Sequence, residues 1–240
     1  MTLRYSRILL KLSGEALQGP EAFGLHAPTL AGVAREIVRV RQLGVEVGLV
    51  VGGGNIFRGA QIDNAQIDRV TKDQMGMMAT VINGLALRDV LMAHGAPAVL
   101  MSAIPMQEAA RPVDVMAARE ALAAGQVVIF AGGTGNPFVT TDTAATLRGV
   151  EINADAVLKA TKVDGIYSDD PVRNPAAMRY ERLTYEEVIA RDLKVMDLAA
   201  FAMSREQRMP IVVFDMFREG ALERIVRGEN EGTLVTGEDA

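Results

Sequence analysis

The chain has no cysteine and only two histidines in 240 residues. The first absence excludes disulfides, thiol nucleophiles and cysteine-ligated zinc or iron–sulfur centres. The second leaves His26 and His94, both beside turn-like sequence, with no pair at a metal-ligating spacing. A reaction that needs a general base would have to use a carboxylate or a lysine. The common nucleotide fingerprints are missing too. Gly14 to Gly19 and Gly54 to Gly59 have phosphate-loop spacing, but Pro20-Glu21 and Ala60-Gln61 stand where Lys-Ser/Thr is required. No G-x-G-x-x-G occurs, and the protein-kinase motif set is absent.

An excess of basic residues is also lacking. Lys and Arg number 25 against 30 Asp and Glu, for a net charge of −5, which argues against an extensive nucleic-acid surface. The uncharged stretch 121–141 is broken by Gly132-Gly133, Asn136 and Pro137, so it reads as a strand and a polar loop rather than a membrane span. Residues 8–10 are too few for a signal-peptide core, and Lys11 follows at once. The expectation is a soluble, cytoplasmic protein with no membrane partner.

What is present is a set of three glycine-rich loops, each following an apolar run. They are Arg7-Ile-Leu-Leu-Lys11-Leu-Ser13-Gly14, Val47-Gly-Leu-Val-Val51-Gly52-Gly53-Gly54-Asn55 and Val127-Val-Ile-Phe130-Ala-Gly132-Gly133-Thr134-Gly135-Asn136. Glycine lets a backbone approach a ligand closely, and clustered N–H groups suit phosphate. Strand patterns over 8–12, 45–51, 98–102, 127–131, 156–160 and 211–214 alternate with helix patterns over 28–42, 74–93, 112–124, 141–150, 185–191 and 220–227. The residues 233–235 read as a short edge strand. This alternation predicts an α/β fold with a mainly parallel central sheet covered on both faces, where ligands bind beyond the carboxyl ends of the strands. Nothing resembles a linker. The expectation is one domain over 1–240, with lobes dividing near residue 150.

Several side chains carry two readings. Lys11 is a solvated strand end or, given the glycine after it, a phosphate ligand. Arg58 is a helix-face salt bridge or a bidentate phosphate grip. Thr140, Thr141 and Asp142 cap a helix, and an uncovered helix N-terminus also attracts anions. Asp142 could hold nearby lysines. Tyr167 could stack on a base, and Lys159 or Lys162 could touch phosphate, although this segment alone reads as a surface hairpin. The apolar helix around Met75–Met92 suits either core burial or packing against another subunit.

The ordered pieces Lys11-Leu-Ser-Gly-Glu-Ala-Leu17, Gly52-Gly-Gly-Asn-Ile-Phe-Arg-Gly59, Asp73-Gln-Met-Gly-Met77, Asn83-Gly-Leu-Ala-Leu-Arg-Asp89, Met101-Ser-Ala-Ile-Pro105, Gly133-Thr-Gly-Asn-Pro-Phe138, Lys159-Ala-Thr-Lys-Val-Asp-Gly165 and Leu193-Lys-Val-Met-Asp-Leu-Ala-Ala200 resemble the amino acid kinase family. Within it they are similar to the branch that phosphorylates UMP. The resemblance runs from about residue 7 to 236. It implies a three-layer αβα sandwich and Mg²⁺-dependent transfer of the ATP γ-phosphoryl group to UMP. It places Lys11, Leu12, Ser13 and Gly14 on the ATP phosphates, Gly54 and Arg58 at the phosphate junction, and Thr161, Tyr167 and Asp170 on the ATP adenosine. UMP would meet Gly53, Asp73 at the ribose hydroxyls, and the loop Thr134, Gly135, Asn136, Pro137, Phe138, Val139, Thr140 and Thr141. Asp142 would orient Lys11 and Lys159. The resemblance further implies a homohexamer, inhibition by UTP, and activation by GTP through Gly19, Pro20, Glu21, Ala22, Phe23, Gly24 and Arg88. Met92, Val99 and Gln126 are uncharged where some relatives carry basic residues.

Three other readings stand beside this one. A kinase of the same fold acting on a carboxylate is disfavoured by Asp73, which would repel an anionic substrate. A non-catalytic nucleotide sensor could dispense with Lys11, Asp142 and Lys159, all of which are present. A dehydrogenase lacks its glycine fingerprint.

Overall fold

The computed structural model describes residues 3–59, 66–171, 173–193 and 195–237. Its frame is a nine-stranded sheet built from β1 (Arg7–Leu12), β2 (Glu46–Val51), β3 (Ala98–Ser102), β4 (Arg111–Pro112), β5 (Val127–Ala131), β6 (Ala156–Thr161), β9 (Arg182–Thr184), β10 (Ile211–Asp215) and β11 (Thr233–Thr236). The spatial order is β4-β3-β5-β2-β1-β6-β10-β11-β9. All neighbouring pairs are parallel except β10–β11. A separate two-stranded hairpin joins β7 (Ile166–Tyr167) to β8 (Arg179–Tyr180).

Strand alternation decides which side chains meet which layer. On β1, Ile8, Leu10 and Leu12 enter one core beneath α1 (Ala27–Gln42), α2 (Arg69–Ala93) and α7 (Ala221–Val226). Leu9 enters the opposite core with Val157 and Ala144, beneath α3 (Val115–Ala123) and α4 (Thr141–Glu151). Lys11 lies on the Leu9 side and Lys159 on the Val157 side, so both lysines face α4. A third core surrounds Tyr185 and Phe201 of α5 (Tyr185–Ala190) and α6 (Leu198–Glu206). The mainly parallel sheet with helices on both faces matches the predicted class.

Some boundaries differ from the sequence reading. The helix expected at 112–124 begins at Val115, because Pro112 pairs with Ser102 in β4 and Asp114 supplies the cap to Ala117 N. The helix expected at 74–93 begins at Arg69 under the Asp68 cap. Helix α6 and strand β9 were not anticipated. Helix α2 is long and apolar enough to cross a membrane by composition, yet it lies against β3 and β5, with Leu87 and Leu91 fully buried.

Candidate active site

The carboxyl ends of β1, β2, β5 and β6 carry the candidate residues. Lys11 and Lys159 are register partners on adjacent parallel strands. Their ammonium groups converge on Asp142 in the first turn of α4. Lys11 Nζ lies 2.9 Å from Asp142 Oδ1, and Lys159 Nζ donates to Oδ2 at 2.8 Å. The three side chains are 8%, 14% and 15% exposed for Lys11, Lys159 and Asp142. Within this triad two cations face one anion, with the Asp197 carboxylate acting on Lys159 from beyond it, and charges in a partly desolvated place attract phosphate more strongly than they would in water. Lys159 also donates to the Val195 carbonyl. Burial holds its pKa below the ordinary lysine value, nearby Lys11 adds to that, and Asp142 opposes it.

The first two glycine loops lie against each other. A Cβ on Gly14 would sit 2.5 Å from the Gly54 nitrogen, and one on Gly53 would sit 2.8 Å from the Gly76 carbonyl of α2. Glycine is thus required at both positions for backbone to reach backbone, apart from any ligand. Arg58 joins the same loops: its Nη2 lies 2.7 Å from Glu15 Oε1, and its Nε donates to Gly54 O at 3.0 Å.

Helix α2 anchors the loops from behind. Asn55 and Asn83 form a buried reciprocal amide pair, at 3.0 and 2.7 Å. Asn83 also donates to Gly52 O, and Asn55 to Gly24 O. The 19–24 turn is therefore fastened to the second glycine loop, while Phe23 within it is exposed. Thr80 Oγ1 accepts from Gly132 N at 2.7 Å, fixing the third loop. Thr80 was not singled out from the sequence, and Asn83 stood there only as the first residue of a quoted motif, with no role given. The available signal was two polar residues, three apart, within the apolar middle stretch of that helix.

Gly53, Asp73, Thr134, Val139, Thr140 and Thr141 share one cavity of about 200 Å³, together with Gly54, Lys72 and Thr80. Gly135, Asn136, Pro137 and Phe138 form the outer turn of the loop rather than the lining of that cavity. The Phe138 amide donates to Asp73 Oδ2 at 2.8 Å. Thr140 caps α4, accepting from Asp142 N and donating to Asp197, which also accepts from Thr143 and from Ala200 N. Burial tends to raise the Asp197 pKa, but the donors from Thr140, Ala200 and Thr143 outweigh it and bring the carboxyl below its ordinary value.

Thr161 ends β6, and Tyr167 and Asp170 lie beyond it. Thr161 bonds the Val163 and Phe214 carbonyls, Tyr167 donates to Asp164 at 2.6 Å, and Asp170 pairs with Arg173 at 3.4 Å. Arg88 pairs with Asp89 on α2. Lys194, inside one of the quoted motifs, lies outside the described residues.

The model of the amino acid kinase family matches residues 6–215. The chain belongs to the amino acid kinase family. It is 58% identical over 236 residues to the uridylate kinase of Yersinia enterocolitica, covering 98% of this chain and 95% of that one. Among solved structures it is similar to the UMP kinase of Bacillus anthracis, at 40% identity and a TM-score of 0.95, covering 98% of this chain and 97% of the other. The UMP kinase of Ureaplasma parvum superposes with a TM-score of 0.91 at 34% identity, covering 97% and 99%. The Asp142 cluster and the cavity around Asp73 thus sit in an amino acid kinase fold.

Proposed function

We propose that the protein transfers the γ-phosphoryl group of ATP to UMP, reversibly, giving UDP and ADP in pyrimidine nucleotide synthesis. The observation that carries this reading is the Lys11–Asp142–Lys159 cluster beside a cavity lined by Asp73. The relatives named for uridylate or UMP kinase support it.

The acceptor is a phosphate oxygen, already anionic at neutral pH, so no general base is required. The reaction needs two repelling phosphates aligned and their charge neutralised. Lys11 and Lys159 meet the transferring group, and Asp142 keeps both ammonium groups on station. Leu12, Ser13, Gly14 and Gly54 offer backbone and hydroxyl donors to ATP, with Arg58 at the phosphate junction. Thr161, Tyr167 and Asp170 receive the adenosine. Gly53 and the loop from Thr134 to Thr141 enclose UMP, and Asp73 takes its ribose hydroxyls. The N-terminal lobe thereby serves UMP and the ATP phosphates, and the C-terminal lobe the rest of ATP.

No group of three or more metal-ligating side chains occurs among the described residues. That donor set fits a Mg²⁺ carried largely by the nucleotide phosphates. When bound, it would neutralise phosphate oxygens.

The reading extends to a cytoplasmic homohexamer inhibited by UTP and activated by GTP through residues 19–24 and Arg88. Half-exposed Met78, Ile82 and Met92 on α2 suit a subunit contact. The decisive experiment is an ADP-release assay with Mg·ATP and UMP, CMP, dUMP, AMP, carbamate or acetylglutamate. Turnover with UMP is expected. Turnover only with a carboxylate overturns the acceptor assignment, and ATP or UTP binding without any turnover favours a sensor.

A further inference from the structure

Asp73 has two hydrogen-bond partners within the protein. Arg69, one helical turn earlier on α2, donates Nε to both carboxylate oxygens, at 3.0 Å to Oδ1 and 3.1 Å to Oδ2. The Phe138 amide donates to Oδ2. The Arg69 guanidinium also lies over the Phe138 ring, 5.9 Å from its centroid. Phe138 has φ of 67°, a left-handed conformation that is costly for an aromatic residue and persists only where neighbours hold it. The residue is 67% exposed, so core packing does not supply that restraint. The restraint visible at Phe138 is its amide bond to Asp73 and its ring contact with Arg69.

A carboxylate offers about four acceptor positions. Arg69 and Phe138 together engage both oxygens but leave capacity on Oδ1, which takes only the shared Nε bond. Asp73 itself lines the cavity. We infer that Arg69 is a positioning residue for the nucleoside monophosphate: it fixes Asp73 so that one carboxylate edge holds the 134–140 loop while the other stays available to a ribose hydroxyl. This inference rests on the proposed function for its substrate. Arg69 itself is 66% exposed and does not line the cavity, so it acts through Asp73 rather than on the nucleotide.

Exposed ion pairs and cation–π contacts are individually weak, so the effect should be modest. The test measures KM for UMP, KM for ATP and kcat in Arg69→Ala, Arg69→Lys, Asp73→Ala and the Arg69→Ala/Asp73→Ala double variant, together with hydrogen exchange at the Phe138 amide. In Arg69→Ala, KM for UMP should rise by roughly two- to fivefold, with kcat and KM for ATP within about twofold. Arg69→Lys, which keeps a cation four residues before Asp73, should recover part of the loss. The double variant should match Asp73→Ala, and Phe138 amide exchange should quicken in Arg69→Ala without any nucleotide present. Additive losses in the double variant, or an unchanged exchange rate, would overturn the inference. Absence of UMP turnover in the unmodified enzyme would instead overturn the proposed function, while the exchange measurement still decides whether Arg69 and Asp73 hold the loop.

Discussion

The two ends of the proposed ATP site are built differently. At one end, Lys11, Asp142 and Lys159 stand on two central strands and a helix, largely withdrawn from solvent. At the other, Thr161 closes β6 while Tyr167 and Asp170 occupy the β7–β8 hairpin and its connecting loop, bonded mostly to near neighbours in sequence. The first region concentrates charge where the dielectric is low and the backbone cannot yield. The second holds its shape by local bonds and can adjust to what it contacts. A site that must bring two phosphates together needs the first kind of construction at the point of transfer, and the second suffices for gripping a base.

The largest expected break in this contrast comes from the lysines. Lys11→Ala and Lys159→Ala should each lower kcat on the order of 10²–10³-fold; near-normal turnover in a coupled assay would remove that lysine from the mechanism. Next is Asp142→Asn. With the anion gone, two neighbouring ammonium groups repel in a half-dry place, and stability should fall by about 3 kcal/mol in urea unfolding. An unchanged midpoint would show that Asp142 is dispensable to the fold.

The depressed pKa of Lys159 gives a pH signature. The alkaline limb of kcat/KM, which reports the free enzyme, should fall below the ordinary lysine value of 10.5 and shift upward in kcat once phosphate is bound. The folded protein releases this proton more readily than the unfolded chain does, so this group adds stability as pH rises from its lowered pKa towards 10.5. A limb at or above the ordinary value in kcat/KM would contradict the burial argument. Asp197→Ala should cost about 1 kcal/mol through loss of the α6 cap. The folded-state pKa of Asp197 is lowered, so its contribution is present above 3.8 and fades as pH falls through that lower value. The smallest effect belongs to the hairpin: Tyr167→Phe, which loses one part-buried bond to Asp164, should change KM for ATP by about twofold or less.

Much of the sheet was legible in the sequence because its strands are short apolar runs ended by glycine or polar residues. The misses have physical causes. Strand β9 is three residues long with Leu183 alone buried, and it exists because β11 pairs with it, a long-range partner that no local pattern reveals. Helix α6 carried a capping aspartate, Asp197, but its apolar residues did not separate from the motif around it. Pro112 looked like a helix start, yet its fixed backbone angle suits the edge strand β4 equally well. At the site, the glycine loops and their lysines could be found by reading along the chain. The Asn55–Asn83 pair and the Thr80–Gly132 bond could not, because each joins residues 28 and 52 apart.

The register of Lys11 beside Lys159 also bears on how such an enzyme can change. Neighbouring strands lie about 4.8 Å apart by the geometry of their hydrogen-bond ladder. The spacing at the roots of the two cations is therefore a ruler ruled by the sheet itself. Loops that choose the acceptor or the base can be lengthened, shortened or exchanged without moving its marks. Substrate preference can drift over such a scaffold while the gauge of the transfer step stays constant.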